Sequence, residues 1–119
     1  MVTLLGASEI RALAAELDVT PTKKWGQNFV HDANTVRKIV STAALLPGEP
    51  VLEVGPGLGS LTLGLIEAGH RVTAIEIDPR LAERLPQTLV ERGGNPDDLA
   101  VVQSDALLVT ELHEPPTAL

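Results

Sequence analysis

Three glycines within five residues are the first feature of this sequence with chemical meaning. They occupy positions 55, 57 and 59 and follow the apolar run 51–54, which indicates a strand buried on both faces. The residues from Ser60 onward indicate a helix. Backbone N–H groups and a helix amino terminus can then face a ligand without a Cβ in the way. This arrangement predicts a site for a nucleotide-type cofactor; a tight turn without a ligand is the alternative.

Acidic residues near the ends of predicted strands narrow the choice of cofactor. Glu53 would repel a pyrophosphate but not a cationic ligand, and Ser60 breaks the G-x-G-x-x-G pattern of dinucleotide enzymes. Both features favour S-adenosylmethionine over NAD. Glu76, 21 positions after Gly55, can accept hydrogen bonds from both ribose hydroxyls. Asp105 can accept one from the exocyclic amine of an adenine, although such an Asp is by itself more typical of a turn.

Alternating strands and helices must position these side chains. Strands are predicted at 51–54, 71–77 and 99–103, with a helix from Ser60 and another from Pro79. Asp78 is expected to cap the second of these helices. This order predicts an α/β fold with a parallel sheet and right-handed crossovers. The strand ends would then meet where an open parallel sheet binds its ligand.

Helices are also predicted before the first strand, and one later helix contains a proline. Ser8 should cap a helix that extends to Leu17, and Asp32 should cap a second that extends to about Leu45. Pro86 lies within the helix that begins at Pro79, where it should kink or restart that helix.

The composition limits the classes of function. A chain of 119 residues suits one domain, and one Trp, one Phe and no Tyr require an aliphatic core. The absence of cysteine excludes disulfides, thiolate catalysis and cysteine-bound metals. His31, His70 and His113 lack the spacing of metal ligands and are expected on the surface or in loops. No signal peptide or membrane-spanning run is apparent, so we expect a cytoplasmic protein without a membrane partner.

The net charge of −7 argues against general affinity for nucleic acid, but the charge is unevenly distributed. Residues 1–48 carry five basic and four acidic side chains, whereas residues 49–119 carry four and twelve. A polyanion would therefore meet the first segment. The basic residues concerned are Lys23, Lys24, Arg37 and Lys38. A solvated face without a partner explains this charge equally well.

Two stretches give the sequence a family resemblance. Residues 23–32 are Lys-Lys-Trp-Gly-Gln-Asn-Phe-Val-His-Asp, and residues 53–62 are Glu-Val-Gly-Pro-Gly-Leu-Gly-Ser-Leu-Thr. Together with Glu76-Ile77-Asp78 and Ser104-Asp105-Ala106, they resemble the KsgA-type ribosomal RNA adenine dimethyltransferases. The resemblance implies a Rossmann-like, S-adenosylmethionine-dependent methyltransferase fold. It also implies the addition of two methyl groups to each of two adjacent adenosines in small-subunit ribosomal RNA, with the immature 30S subunit as partner.

The resemblance assigns roles to particular residues. Those expected to contact S-adenosylmethionine are Gln27, Asn28, Val30, Gly55, Gly57, Glu76 and Asp105. The first three would line the cofactor from the N-terminal side. Gly55 would approach its methionyl end, Glu76 its ribose and Asp105 its adenine.

One motif of the family is absent from the sequence. Asn-Leu-Pro-Tyr/Phe, which should follow the fourth strand, does not occur. Because such a motif orients the target amine and stacks the flipped base, we expect no catalytic residue here and an inactive N-terminal part of a longer enzyme. It would comprise a helical segment, 1–48, with the Gly-Gln-Asn-Phe loop, and the first half of a Rossmann-like domain, 49–119. Truncation before the fourth strand would leave an open edge that favours self-association.

Two other functions are compatible with parts of the sequence. A non-catalytic nucleic-acid-binding relative, like the mitochondrial transcription factors that resemble these enzymes, would also lack the catalytic motif. An NAD-dependent oxidoreductase is disfavoured by the Gly-Gln-Asn-Phe element and by Ser60 in the glycine loop.

Overall fold

A parallel β-sheet with helices packed against it forms the structure, a computed structural model that describes residues 1–19, 32–105 and 117–118. The helices are α1 (Ala7–Glu16), α2 (Ala33–Thr42), α3 (Ser60–Glu67) and α4 (Pro79–Glu91), with a 3-10 turn at Pro96–Asp98. The strands are β1 (Val51–Val54), β2 (Val72–Glu76), β3 (Leu99–Gln103) and β4 (Thr117–Ala118). The predicted α/β class is confirmed, and the first three strands lie where the sequence places them.

The order of the strands creates a switch point beside β1. The order is β3-β2-β1-β4, and every pair is parallel. Val51 pairs with Val72 and Val72 pairs with Leu99, so the three longer strands start level and end at one edge of the sheet. The chain moves outward from β1 to β3 and then returns to the other side of β1. An open parallel sheet binds its ligand at the carboxyl ends beside such a reversal.

The fourth strand requires a correction. The chain does not end before this strand, because Thr117 and Ala118 form two residues of it and pair with Val51 and Leu52. Two residues are too few to show the alternation of a strand in the sequence, so β4 is identified by its pairing with β1. The first half of β1 is therefore covered on this side. The open edge on which the predicted self-association depends is correspondingly shorter.

Helix α4 begins as predicted but does not break at its internal proline. Asp78 caps it, accepting a hydrogen bond from the backbone N–H of Arg80 at 2.9 Å, and Pro79 is its first residue. The helix then continues without interruption through Pro86. Proline removes one backbone hydrogen bond, but the buried leucines of α4 on both sides of it keep the helix against the sheet. These are Leu81, Leu85 and Leu89, each no more than 2% exposed.

The two N-terminal helices confirm one predicted cap and correct the other. Asp32 caps α2, accepting a hydrogen bond from Thr35 N–H at 2.8 Å. Ser8 does not cap α1, because the cap position is Gly6 and the Ser8 hydroxyl donates to Glu9 instead. Both helices end earlier than predicted, and α2 packs its buried Val36 against Gly64 of α3, where a Cβ would collide with the valine.

His70 lies in the interior rather than on the surface, which corrects the expectation for it. It is 5% exposed, and its Nδ1 lies 2.8 Å from the backbone oxygen of Glu49. The ring therefore connects the start of β2 to the segment before β1. Among the described residues no group of acidic and histidine side chains could hold a metal ion. None of the described helices is long and apolar enough to cross a membrane.

Candidate cofactor site

The glycine loop turns from β1 into α3 through left-handed backbone conformations. Gly57 has φ 60° and Gly59 has φ 102°, values that residues with a Cβ rarely adopt. A Cβ on Gly59 would also lie 2.6 Å from Leu85 Cδ1, so α4 packs directly against the loop. Gly55 N–H donates to the Ile75 carbonyl of β2 at 2.9 Å, which fixes the loop to the edge of the sheet.

Glu76 joins the end of β2 to this loop. Its side chain is 1% exposed. One carboxylate oxygen, Oε1, accepts a hydrogen bond from Gly57 N–H at 3.2 Å, and the other, Oε2, accepts one from Asp78 N–H at 2.9 Å. A buried carboxylate held by two backbone donors has a fixed orientation and keeps lone pairs for further donors. The structure thus brings together Gly57 and Glu76, two of the residues predicted from the sequence.

Glu53 is a second buried carboxylate in this part of the sheet. Its charge at neutral pH is smaller than the sequence analysis expects. It is 3% exposed and accepts a hydrogen bond of 2.5 Å from the hydroxyl of Thr62 in α3. Burial raises its pKa to about 7, the negative charge of Glu76 acts in the same direction, and the Thr62 hydrogen bond opposes both. At neutral pH the group therefore carries only part of a charge. The repulsion of pyrophosphate expected from the sequence is weaker than a full charge would give.

Thr62 is a buried hydrogen-bond partner of Glu53 that the sequence analysis does not identify. It is fully buried on α3, two residues into the helix, and its hydroxyl belongs to no chemical motif. The available signal is a polar residue within the otherwise apolar stretch 61–66, since a polar side chain is rarely buried without a partner. That partner, Glu53, lies nine residues away in sequence and becomes apparent only in the fold.

Asp105 lies at the same edge of the sheet, beyond the end of β3. Glu76 pairs with Gln103, and Ser104 N–H donates to the Glu76 carbonyl at 3.0 Å. Asp105 is the next residue and is exposed. The predicted cofactor residues Gln27, Asn28 and Val30 lie outside the described residues, as do His31 and His113.

Comparison with known proteins connects this edge of the sheet to a family. The sequence model of the ribosomal RNA adenine dimethylase family matches residues 20–114. The chain belongs to this family. A curated relative within it, ribosomal RNA small subunit methyltransferase A of Corynebacterium efficiens, is 63% identical over 119 residues, covering 98% of this chain and 41% of that protein.

Solved structures agree with the family assignment. The 23S rRNA methyltransferase ErmE superposes with a TM-score of 0.63 at 41% identity, over 76% of this chain and 36% of that one. The glycopeptide N-methyltransferase MtfA, in a crystal structure with S-adenosyl-L-methionine, superposes with a TM-score of 0.54 at 26% identity, over 71% and 38%. These likenesses confirm the methyltransferase type of Rossmann-like fold. The chain spans 34% to 41% of the length of the curated dimethylase relatives it matches.

Proposed function

We propose that this chain binds S-adenosylmethionine at the carboxyl edge of its sheet, as the cofactor-binding part of an adenine dimethyltransferase. The observation that carries the proposal is the hydrogen bond from Gly57 N–H to the buried Glu76 carboxylate. It connects the glycine loop to the acidic strand end beside the switch point between β1 and β4. Family membership and the likeness to a methyltransferase solved with this cofactor support the same site.

The residues present suit the chemistry of the cofactor. Glu76 would accept hydrogen bonds from the two ribose hydroxyls with the lone pairs that its backbone donors leave. Asp105, at the end of the neighbouring strand, would accept one from the adenine amine. Gly55 and Gly57 would let the methionyl end approach the backbone. When bound, the cofactor supplies an electrophilic methyl group. Gln27, Asn28 and Val30 complete the proposed set of contacts.

For the whole protein we propose methyl transfer to adenine amines of small-subunit ribosomal RNA, with the immature subunit as partner. The names of the family and of its curated relative support this substrate. Because the sequence contains no Asn-Leu-Pro, we propose that these residues supply cofactor contacts and no catalytic group. Residues 1–48 would form the helical segment with the Gly-Gln-Asn-Phe loop, and residues 49–119 the first half of the Rossmann-like domain.

Calorimetric titration with S-adenosylmethionine and with NAD tests the cofactor. We expect Glu76→Ala to abolish most binding of S-adenosylmethionine. Glu76→Gln keeps the shape but should weaken binding roughly 10- to 100-fold, because hydrogen bonds to a charged acceptor are lost. Glu91→Gln, an exposed carboxylate at the far end of α4, should bind normally. Normal binding by both Glu76 variants would contradict the role of Glu76, and tighter binding of NAD would contradict the methyltransferase assignment.

Transfer of labelled methyl groups to small-subunit RNA by the whole protein tests the reaction. Incorporation into adenines that stops in Glu76→Ala is the expected result. RNA binding without any transfer would instead indicate a non-catalytic relative of the family.

A further inference from the structure

Arg80 of α4 connects two parts of the molecule that the sequence does not associate. Its guanidinium donates from Nε and Nη2 to the Asp78 carboxylate, at 3.3 and 3.0 Å. Its third nitrogen, Nη1, donates to the backbone carbonyls of Asp18 and Leu17, at 2.8 and 3.4 Å. All three nitrogens are therefore used, two on the start of α4 and one on the end of α1.

Asp78 carries this contact on to the cofactor site. Its side chain is 4% exposed and its backbone N–H donates to Glu76 Oε2 at 2.9 Å. Hydrogen bonding from Arg80 holds the pKa of the Asp78 carboxyl below its usual value, so the carboxylate is charged at neutral pH. An uninterrupted series of contacts thus runs from the end of α1 through Arg80 and Asp78 to Glu76.

The other end of the series is a backbone that needs support. Asp18 has φ 52°, in the left-handed region that glycine usually occupies at the end of a helix. The carbonyls of Leu17 and Asp18 lie just beyond the last residue of α1, and Arg80 supplies a donor and a positive charge to them.

We propose that Arg80 is a positioning residue of the cofactor site, coupling the end of α1 to the Asp78–Glu76 hydrogen bond. The role rests on the proposed binding of S-adenosylmethionine. Arg80 fixes the end of α1 relative to Asp78, whose backbone N–H orients the Glu76 carboxylate that would accept the ribose. A lysine could not do this, because a single ammonium cannot reproduce the fork that engages a carboxylate and two carbonyls together.

Arg84 provides a matched control one turn further along α4. It also contacts α1, through an ion pair with Glu16 at 3.1 Å, and it pairs with Glu91 of its own helix at 3.0 Å. Neither partner touches Glu76 or the glycine loop. A general loosening of α1 against α4 would therefore follow from either substitution, whereas loss of positioning would follow only from a change at Arg80.

Calorimetry on the whole protein, with S-adenosylmethionine as the ligand, tests the role. Arg80→Ala and Arg80→Lys should both raise Kd about tenfold, while Arg84→Ala leaves it within about twofold. The positioning role would be overturned if Arg80→Ala or Arg80→Lys bound the cofactor as tightly as the wild type. It would also be overturned if Arg84→Ala lost as much affinity as Arg80→Ala. In each case the proposed binding of the cofactor would stand. Absence of binding by the unsubstituted protein would overturn the proposed function and the role with it.

Amide hydrogen exchange gives a second measurement that needs no cofactor. In Arg80→Ala the amide of Asp78 should exchange faster, because its hydrogen bond to Glu76 loses support, while the amide of Ala74 in the centre of β2 keeps its rate. In Arg84→Ala both amides should keep their rates. Unchanged exchange of Asp78 in Arg80→Ala would overturn the proposed coupling.

Discussion

Two regions of this protein hold their carboxylates in opposite ways. At the carboxyl edge of the sheet, Glu53 and Glu76 are buried, and the hydrogen bonds to them come from a hydroxyl and two backbone N–H groups. On the outside of α4, the outer seam consists of Arg80, Arg84 and Arg92 and their contacts with residues 1–19. Carboxylates on this side of the molecule pair with guanidinium groups, Asp78 with Arg80 and both Glu16 and Glu91 with Arg84.

The difference distinguishes the proposed binding site at the sheet edge from a structural contact between helices. In the outer seam, opposite charges compensate each other, so little electrostatic potential is left for a ligand. At the sheet edge, the donors to Glu53 and Glu76 carry no charge, and burial raises the pKa of Glu53 to about 7. The proposed S-adenosylmethionine would offer its ribose hydroxyls to the Glu76 carboxylate at this edge. Arg80 belongs to the outer seam, but it also contacts Asp78, whose backbone N–H donates to Glu76 at the sheet edge.

The largest expected effect concerns the pH dependence caused by Glu53. Its pKa is about 7 in the folded protein against a usual value of 4.5, so between these values the folded state binds more protons than the unfolded state. Stability therefore falls as pH rises, by about 3 kcal/mol from this group. Urea denaturation at about pH 5 and about pH 8 should show this loss, which Glu53→Gln removes.

A matched substitution distinguishes burial from general charge effects. Glu91→Gln, at an exposed carboxylate that pairs with Arg84 of the outer seam, should leave the pH dependence of the wild type unchanged. If Glu53→Gln retained the same dependence, the carboxylate at the sheet edge would be no different from the paired ones outside.

A smaller effect is expected from removing the donor that Glu53 uses. Thr62→Val keeps the shape of a fully buried side chain but leaves the Glu53 carboxylate without its 2.5 Å hydrogen bond. We expect a loss of about 2 kcal/mol at about pH 8, where the group is charged, and a smaller loss at about pH 5. The pKa of Glu53 should also rise, because the Thr62 hydrogen bond lowers it.

Thr88 supplies the control for this substitution. It is also buried, on α4, but within residues 1–19, 32–105 and 117–118 its hydroxyl has no hydrogen-bond partner. Thr88→Val should therefore be neutral or stabilising at both pH values. Equal losses from Thr62→Val and Thr88→Val would show that the hydroxyl of Thr62 has no special interaction with the carboxylate.

Local patterns in the sequence predict the helices, the longer strands and the glycine loop, because each of these depends on neighbouring residues. Asp78 followed by Pro79 sets the start of α4, and alternating strands and helices predict the parallel sheet. The direction in which a side chain points depends instead on contacts between distant elements. That is why the sequence places Glu53 beside a ligand, whereas the fold buries it against Thr62, and why His70 is expected outside.

The short strand β4 likewise cannot be predicted from local sequence. Thr117 and Ala118 have no strand pattern, and their assignment to β4 rests on pairing with Val51 and Leu52, more than sixty residues earlier. The switch point beside β1 could therefore not be located from the order of elements alone. Nor could the role of Arg80, whose acceptors Leu17 and Asp18 precede it by more than sixty residues.

The smallest effect tests whether the outer seam is structural along its whole length. Arg92 donates from Nε to the Thr3 carbonyl at 3.0 Å and from Nη2 to the Leu4 carbonyl at 2.7 Å. Arg92→Ala should cost about 1 kcal/mol, measured by urea denaturation, because the backbone bond from Thr3 N–H to the Arg92 carbonyl remains. Affinity for S-adenosylmethionine should not change. A loss of affinity as large as that of Arg80→Ala would mean that the entire seam acts on the site. The sheet edge and the outer seam would then differ only in their distance from the cofactor, and not in how their carboxylates are held.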